Sequence, residues 1–264
     1  MQSDDDAEDK IPEIHLRIPG PWRTPEELTE SLRLAVGGAW RIENAGELIN
    51  TKTGQRFRLG HTEHDDDIVK FFEDTGRMSE HDVEKLSTHP VKIHVMGPGG
   101  SVDAACAIMD AAQSLIEAGG YGVFVDNSGI AHPPDDWRKL TESSKNGGVF
   151  WAYVATTSGL DPGSGEEEMF STGMHCLGYR DAEMPCPPDK AMGAFFLNNF
   201  LGYCYQSGQT VLDGDCLNDL QGPLFRAIHH PCARYRADTA FFNPYGVWRL
   251  EPVIGGDEGG ERED

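Results

Sequence analysis

Asp126, His132 and His175 carry the side chain types from which a general base and its orienting acid are built. A glycine-rich turn, Gly97-Pro98-Gly99-Gly100-Ser101, precedes them in the chain. At a helix N-terminus such a turn can present backbone N–H groups to an anion. The Gly97–Ser101 edge with Asp126, His132 or His175 would therefore suit a hydrolase-like site, provided the chain folds them together. Their spacing does not fix their distances, and a neutral histidine in a polar turn is the better reading of either imidazole. The turn lacks the lysine of a phosphate-binding loop and the G-x-G-x-x-G spacing of a dinucleotide site, so no cofactor is implied.

A second group, His61, His64, Asp65, Asp66 and Asp67, reads H-x-x-H-D-D-D. Two imidazoles and a carboxylate suit a divalent metal chemically, which makes His61, His64 and Asp65 weak metal candidates. Acidic residues at a helix start are also ordinary partners of the helix dipole, and no metal is required to explain them. His229-His230 beside Cys232 lacks a nucleophile motif and reads as surface.

The elements that must position these residues are clearest in Val91–Asn127. Val91, Ile93 and Val95 alternate with Lys92 and His94, as in a strand with one buried face. After the turn, Ser101 caps a helix whose Val102, Ala105, Met109, Ala112 and Ile116 form one apolar stripe. Gly119-Gly120 stops it, and Tyr121–Val125 is a second strand. If the two strands are parallel neighbours, the turn and Asp126–Gly129 share the carboxyl edge where open sheets bind ligands.

Upstream, Ile14–Ile18 is a strand, and Thr24 with Pro25 and Glu27 opens a capped helix. Trp40–Ile49 and Gln55–Leu59 form a hairpin around Thr51–Gly54, and short helices follow from Asp65 and Ser79. Ile14-His15-Leu16 before a Gly-Pro turn and a capped helix is echoed by Ile93-His94-Val95 before the same two features. The order strand, helix, two strands, helix, strand is that of a split β-α-β unit. Downstream, Val149–Thr156 and Phe170–Leu177 read as strands, and Pro187-Pro188-Asp189 opens a long helix to Gln206 that should be deeply buried. A closing strand ends near Leu250. The fold class is α+β, with mixed sheets, packed helices and two ferredoxin-like lobes forming one unit over residues 11–254. The lobe boundary falls near 88–91 or 145–148.

The net charge is −22, of which Met1–Asp9 and Gly255–Asp264 hold −9. Both tails are expected to be disordered. A body at −13 repels nucleic acid and anionic membrane and favours a basic protein partner, and it also confers solubility. No apolar run approaches the length of a membrane span. Six cysteines without a C-x-x-C pair suit reduced thiols and a cytoplasmic location.

Two resemblances follow from these motifs. PGGSVDAACAIMDAAQ is similar to the Gly-rich loop and helix of Clp-type serine proteases, and Met192–Leu197 to the region of their nucleophile. Ala191 stands where the nucleophilic serine should be, and about ninety residues separate the two pieces, so that chemistry is not carried over. Three blocks, Val91–His132, Ser171–Pro185 and the long helix with Leu212–Leu217 and Phe242–Leu250, resemble the bacterial family catalogued as domain of unknown function 4261. That resemblance implies a cytosolic α+β domain without an established activity, and an immunity-like role in bacterial conflict. It transfers no catalytic residue. The expectation is a non-enzymatic binding protein, with the hydrolase-like enzyme as the alternative.

Overall fold

The structure, a computed structural model, describes residues 11–44, 46–206, 211–218 and 224–253. Both acidic tails lie outside the described residues. The first half of the chain builds a seven-stranded antiparallel sheet in the order β2-β3-β4-β5-β1-β6-β7. Its strands are β1 (Glu13–Gly20), β2 (Trp40–Glu43), β3 (Glu47–Asn50), β4 (Arg56–Glu63), β5 (Val91–Pro98), β6 (Val123–Val125) and β7 (Ile130–His132). Helix α1 (Pro25–Val36) follows β1, α2 (Asp66–Asp74) and α3 (Glu80–Ser87) follow β4, and α4 (Val102–Glu117) joins β5 to β6.

Local chemistry explains the helix starts. Thr24 accepts from Glu27 N–H at 3.2 Å while the Glu27 carboxylate accepts from Arg23 N–H at 2.7 Å. Ser101 accepts from Ala104 N–H at 3.2 Å. In β1, Ile14, Leu16 and Ile18 are fully buried, whereas His15 and Arg17 reach the opposite, partly open face. The buried row faces α1 and α4, which pack side by side.

β5 and β6 run the same way, but they are not neighbours: β1 lies between them, antiparallel to both. The expected adjacent crossover is thus a split one. Taken in chain order, β1, β4, β5 and β6 stand in the sheet as β4-β5-β1-β6, the ferredoxin-like arrangement, extended by β2-β3 at one edge and β7 at the other. The segment 88–91 lies inside this sheet's chain, between α3 and β5.

Helices α5 (Pro134–Glu142) and α6 (Gly148–Tyr153) lead into the second half. Val149–Tyr153, expected as strand, is helical, and the strand begins at Ala155. An apolar run of this length suits either state, and burial on several sides here suits a helix. The second sheet has the order β11-β12-β13-β10-β9-β8. Its strands are β8 (Ala155–Leu160), β9 (Glu167–Thr172), β10 (Asp181–Pro185), β11 (Cys216–Asn218), β12 (Leu224–His230) and β13 (Val247–Pro252), with α7 (Lys190–Gln206) after β10. It is built differently from the first: two three-stranded meanders meet where β10 and β13 pair in parallel, Asp181 opposite Val247. α7 packs on β8, β9 and β10 through Gly193, Leu197, Phe200 and Leu201. It is not deeply buried all round, since Met192, Phe195 and Tyr203 are exposed.

Candidate functional site

The Gly97–Ser101 turn and Asp126–Gly129 do lie at the same end of the first sheet. Pro98 pairs with Glu13, and Asp126 N–H donates to His15 O at 3.0 Å. That end is filled by the protein's own chain. Gly99 N–H donates to Pro12 O at 2.7 Å and Gly100 N–H to Cys176 O at 3.0 Å. A Cβ at Gly100 would lie 2.6 Å from the Tyr245 hydroxyl, so the turn is roofed as well as satisfied. Buried N–H groups need partners, and here the segment before β1 supplies one and the second half of the chain the other.

Asp126, His132 and His175 do not converge. His132 on β7 is buried beside Trp137 and donates from Nε2 to Ala152 O at 2.9 Å. Burial pulls its pKa down to about 4, so the ring is neutral at pH 7. His175 is buried in a polar seam between the two halves, with Nε2 at 3.1 Å from Asn127 Nδ2 and Nδ1 at 3.9 Å from Asp181. Burial opposes protonation of His175, while Cys176 and Asp181 pull its pKa upward. The Asn127 amide is oriented by His15 N–H on its oxygen at 2.9 Å and by Glu13 O and Ala240 O on its NH₂. The NH₂ turns its two hydrogens to these carbonyls and sits against Nε2 of His175. Asp181 in turn accepts from Ser171 Oγ, Met174 N–H and Asn243 Nδ2. The seam joins the halves and is closed to substrate.

The weak metal candidates are also spent locally. Asp65 caps α2 through Asp67 N–H at 3.0 Å and pairs with the buried Lys92 ammonium, whose hydrogen bond holds its carboxyl below the usual range. His64 bridges Asp66 Oδ1 at 2.8 Å and His89 O at 3.1 Å. His61 lines a different hollow beside Trp22 and Leu59. Among the described residues, no group of three or more His, Cys, Asp or Glu side chains is arranged to hold a metal ion.

What the fold brings together is the open face of the first sheet. The buried Asp126 carboxylate accepts from His15 Nδ1 at 2.8 Å. His15 Nε2 faces His94 Nδ1 at 2.9 Å, and His94 Nε2 meets Thr62 Oγ1 at 2.8 Å. Arg17 Nε flanks Asp126, 2.8 Å from Oδ1 and 3.0 Å from Oδ2. This chain crosses four strands on the diagonal, from β6 through β1 and β5 to β4. Burial, then His15 and Arg17, lower the His94 pKa to about 4. With His94 neutral, its Nδ1 and His15 Nε2 share one proton, Thr62 Oγ1 meets His94 Nε2, and His15 Nδ1–H donates to Asp126. Sequence reasoning found Asp126 and missed His15, His94 and Thr62. The signal lay in the echoed Ile14-His15-Leu16 and Ile93-His94-Val95.

Beside this chain a groove of about 410 Å³ opens between α2 and the sheet, lined by Arg17, Asp67, Ile68, Lys70, Phe71, Asp74 and Phe124. Ile68, Val69 and Phe72 anchor α2 against Leu86, Phe124 and Ala131. Phe71 stacks on Phe124 with ring centroids 4.8 Å apart, yet it stays 46% exposed. The segment 63–87 that carries this helix holds nine Asp or Glu against three Lys or Arg. The comparisons with protein-family models, curated proteins and solved structures return no match to this chain.

Proposed function

We propose that the protein is a non-enzymatic binding protein that docks a cationic segment of another protein in the groove beneath α2. The observation that carries this reading is Phe71, a half-exposed aromatic held in place by its stack on Phe124 and rimmed by Asp67 and Asp74. A partner lysine or arginine would lay its cation over the Phe71 ring and reach Asp74, with Asp67 already paired to Lys70 at 3.0 Å. Phe71 alone would contribute on the order of 1–2 kcal/mol of such binding. The charge of −22 speeds encounter with a basic protein and disfavours nucleic acid and anionic membrane. Among the described residues no helix is long and apolar enough to cross a membrane; the cytoplasmic setting proposed here rests on six cysteines without a C-x-x-C pair. An immunity-like role against a basic toxin agrees with the resemblance of the three sequence blocks. The alternative, a hydrolase on the Gly97–Ser101 edge with Asp126, His132 or His175, would need free backbone donors, and Gly99 and Gly100 have none to offer.

Titration with a Lys- and Arg-rich decapeptide tests the reading. Binding should be weakened about tenfold or more by Phe71→Ala, with the far-UV circular dichroism spectrum at 25 °C unchanged, and should fall steeply as salt rises. Peptide binding that is indifferent to Phe71→Ala would reduce the interaction to bulk charge and overturn the docking site.

A further inference from the structure

The facing imidazoles of His15 and His94 carry a second inference, independent of the partner reading. We propose that His15 Nε2 and His94 Nδ1 form a two-nitrogen site for a late first-row transition ion, on the open face of the seven-stranded sheet. The two nitrogens lie 2.9 Å apart, and each ring is fixed by a hydrogen bond at its far nitrogen, to Asp126 Oδ2 at 2.8 Å and to Thr62 Oγ1 at 2.8 Å. A carboxylate or hydroxyl on the far nitrogen is the usual means of orienting a metal-binding histidine. Asp126 is committed to that outer role and supplies no metal bond, so the donor set is the two imidazoles plus open positions for water or a ligand.

For the tautomer in which both rings are neutral, the proton count closes without release to solvent. In it His94 carries its proton on Nδ1 and gives it to His15. For both lone pairs to face the ion, that proton moves to Nε2 of His94, where Thr62 Oγ1 accepts it instead of donating. A hydroxyl can serve in either sense, a choice that a carboxylate or ammonium would not leave open. Tetrahedral coordination with bonds of about 2.0–2.1 Å places two nitrogens about 3.3 Å apart, so the rings need part by only about 0.4 Å. Burial keeps His94 uncharged at neutral pH, and a neutral imidazole is the form that binds metal. His15 is about a third exposed, which gives the ion a route in. The nearby cations are already balanced, Arg17 by Asp126, Lys92 by Asp65 and Arg58 by Glu13.

Zn(II) titration of the full chain, followed by long-range ¹H–¹⁵N correlation of the histidine rings, is the test. His15 Nε2 and His94 Nδ1 should shift together and saturate at one equivalent, with His15 Nδ1 still protonated and the rings of His132 and His175 unmoved. His15→Gln or His94→Gln should weaken binding at least about tenfold, and Asp126→Asn about 10–100-fold. Excess Zn(II) that leaves both nitrogens unshifted, or shifts only other histidines, would overturn the site. The wild-type spectra decide this even where a variant folds poorly.

Discussion

His132 shows at the scale of one residue why a histidine beside a polar turn was a misleading sign of chemistry. Its ring is spent on Ala152 O and on contact with Trp137, and it stays neutral because burial disfavours the charge. The unfolded ring titrates near 6.5 and the folded one near 4, so between those values the unfolded state binds more protons. Stability is therefore intact above about pH 6.5 and falls as pH drops toward 4, by up to about 3 kcal/mol from this group. Denaturant melts at pH 7 and pH 4.5 should show a smaller loss for His132→Gln than for the parent. Equal losses would mean that other groups set the acid limb. Asp126 was legible in the sequence because it ends an apolar strand beside Asn127-Ser128-Gly129. Its true partner His15 was not, because that contact spans 111 positions and depends on β1 entering between β5 and β6. Alternation tells which face a side chain takes and leaves open which strand lies beside it.

At the scale of elements, the capped helices α1, α2, α3 and α4 were legible, since their signals are local: Thr24, Asp65, Ser79 and Ser101 each accept from the first turn. The split crossover was half legible, through the strand-helix order, while strand order waited on long-range pairing. What no local signal announced is the segment 173–178, which folds onto the Gly97–Ser101 turn and closes the edge where a ligand crevice was expected. It can approach only because it is flanked by glycines. A Cβ at Gly173 (φ +96°) would sit 1.9 Å from Tyr153 O, and one at Gly178 (φ +90°) 2.5 Å from Gly100 O. Gly54 (φ +76°) has the same left-handed backbone with open space around it. Gly54→Ala should thus cost only the conformational penalty of about 1–2 kcal/mol, whereas Gly173→Ala adds a backbone clash and should cost clearly more. Chemical denaturation of the two variants compares them directly, and equal costs would show that the segment is not closely docked.

Taken whole, the molecule has two sheets of different design but one continuous interior. The same apolar cluster runs from Ile14 and Leu16 on β1 through Ala105 and Met109 on α4 to Met174, Cys176, Trp248 and Leu250 in the second half. Polar contacts cross with it: Tyr153 Oη donates to Ala105 O at 3.1 Å, Asn127 donates to Ala240 O at 3.2 Å, and Gly100 N–H donates to Cys176 O at 3.0 Å. Separating the halves would expose apolar surface and trade these hydrogen bonds for bonds to water, a net cost of about 0.5–1.5 kcal/mol per bond on top of the apolar exposure. Chains of this length often unfold in stages, so the expectation here is specific: one transition. Trp22 and Trp40 report on the first half and Trp248 on the second, all three buried. Tryptophan fluorescence and far-UV circular dichroism should give superimposable melts at moderate salt, where screening damps the self-repulsion of a chain at −22. The calorimetric enthalpy should equal the van't Hoff enthalpy. Two resolved transitions would mean that the halves are stable apart. The seam at Asn127, His175 and Asp181 would then be a docking contact between domains, and its closure over the Gly97–Ser101 edge could be reversible.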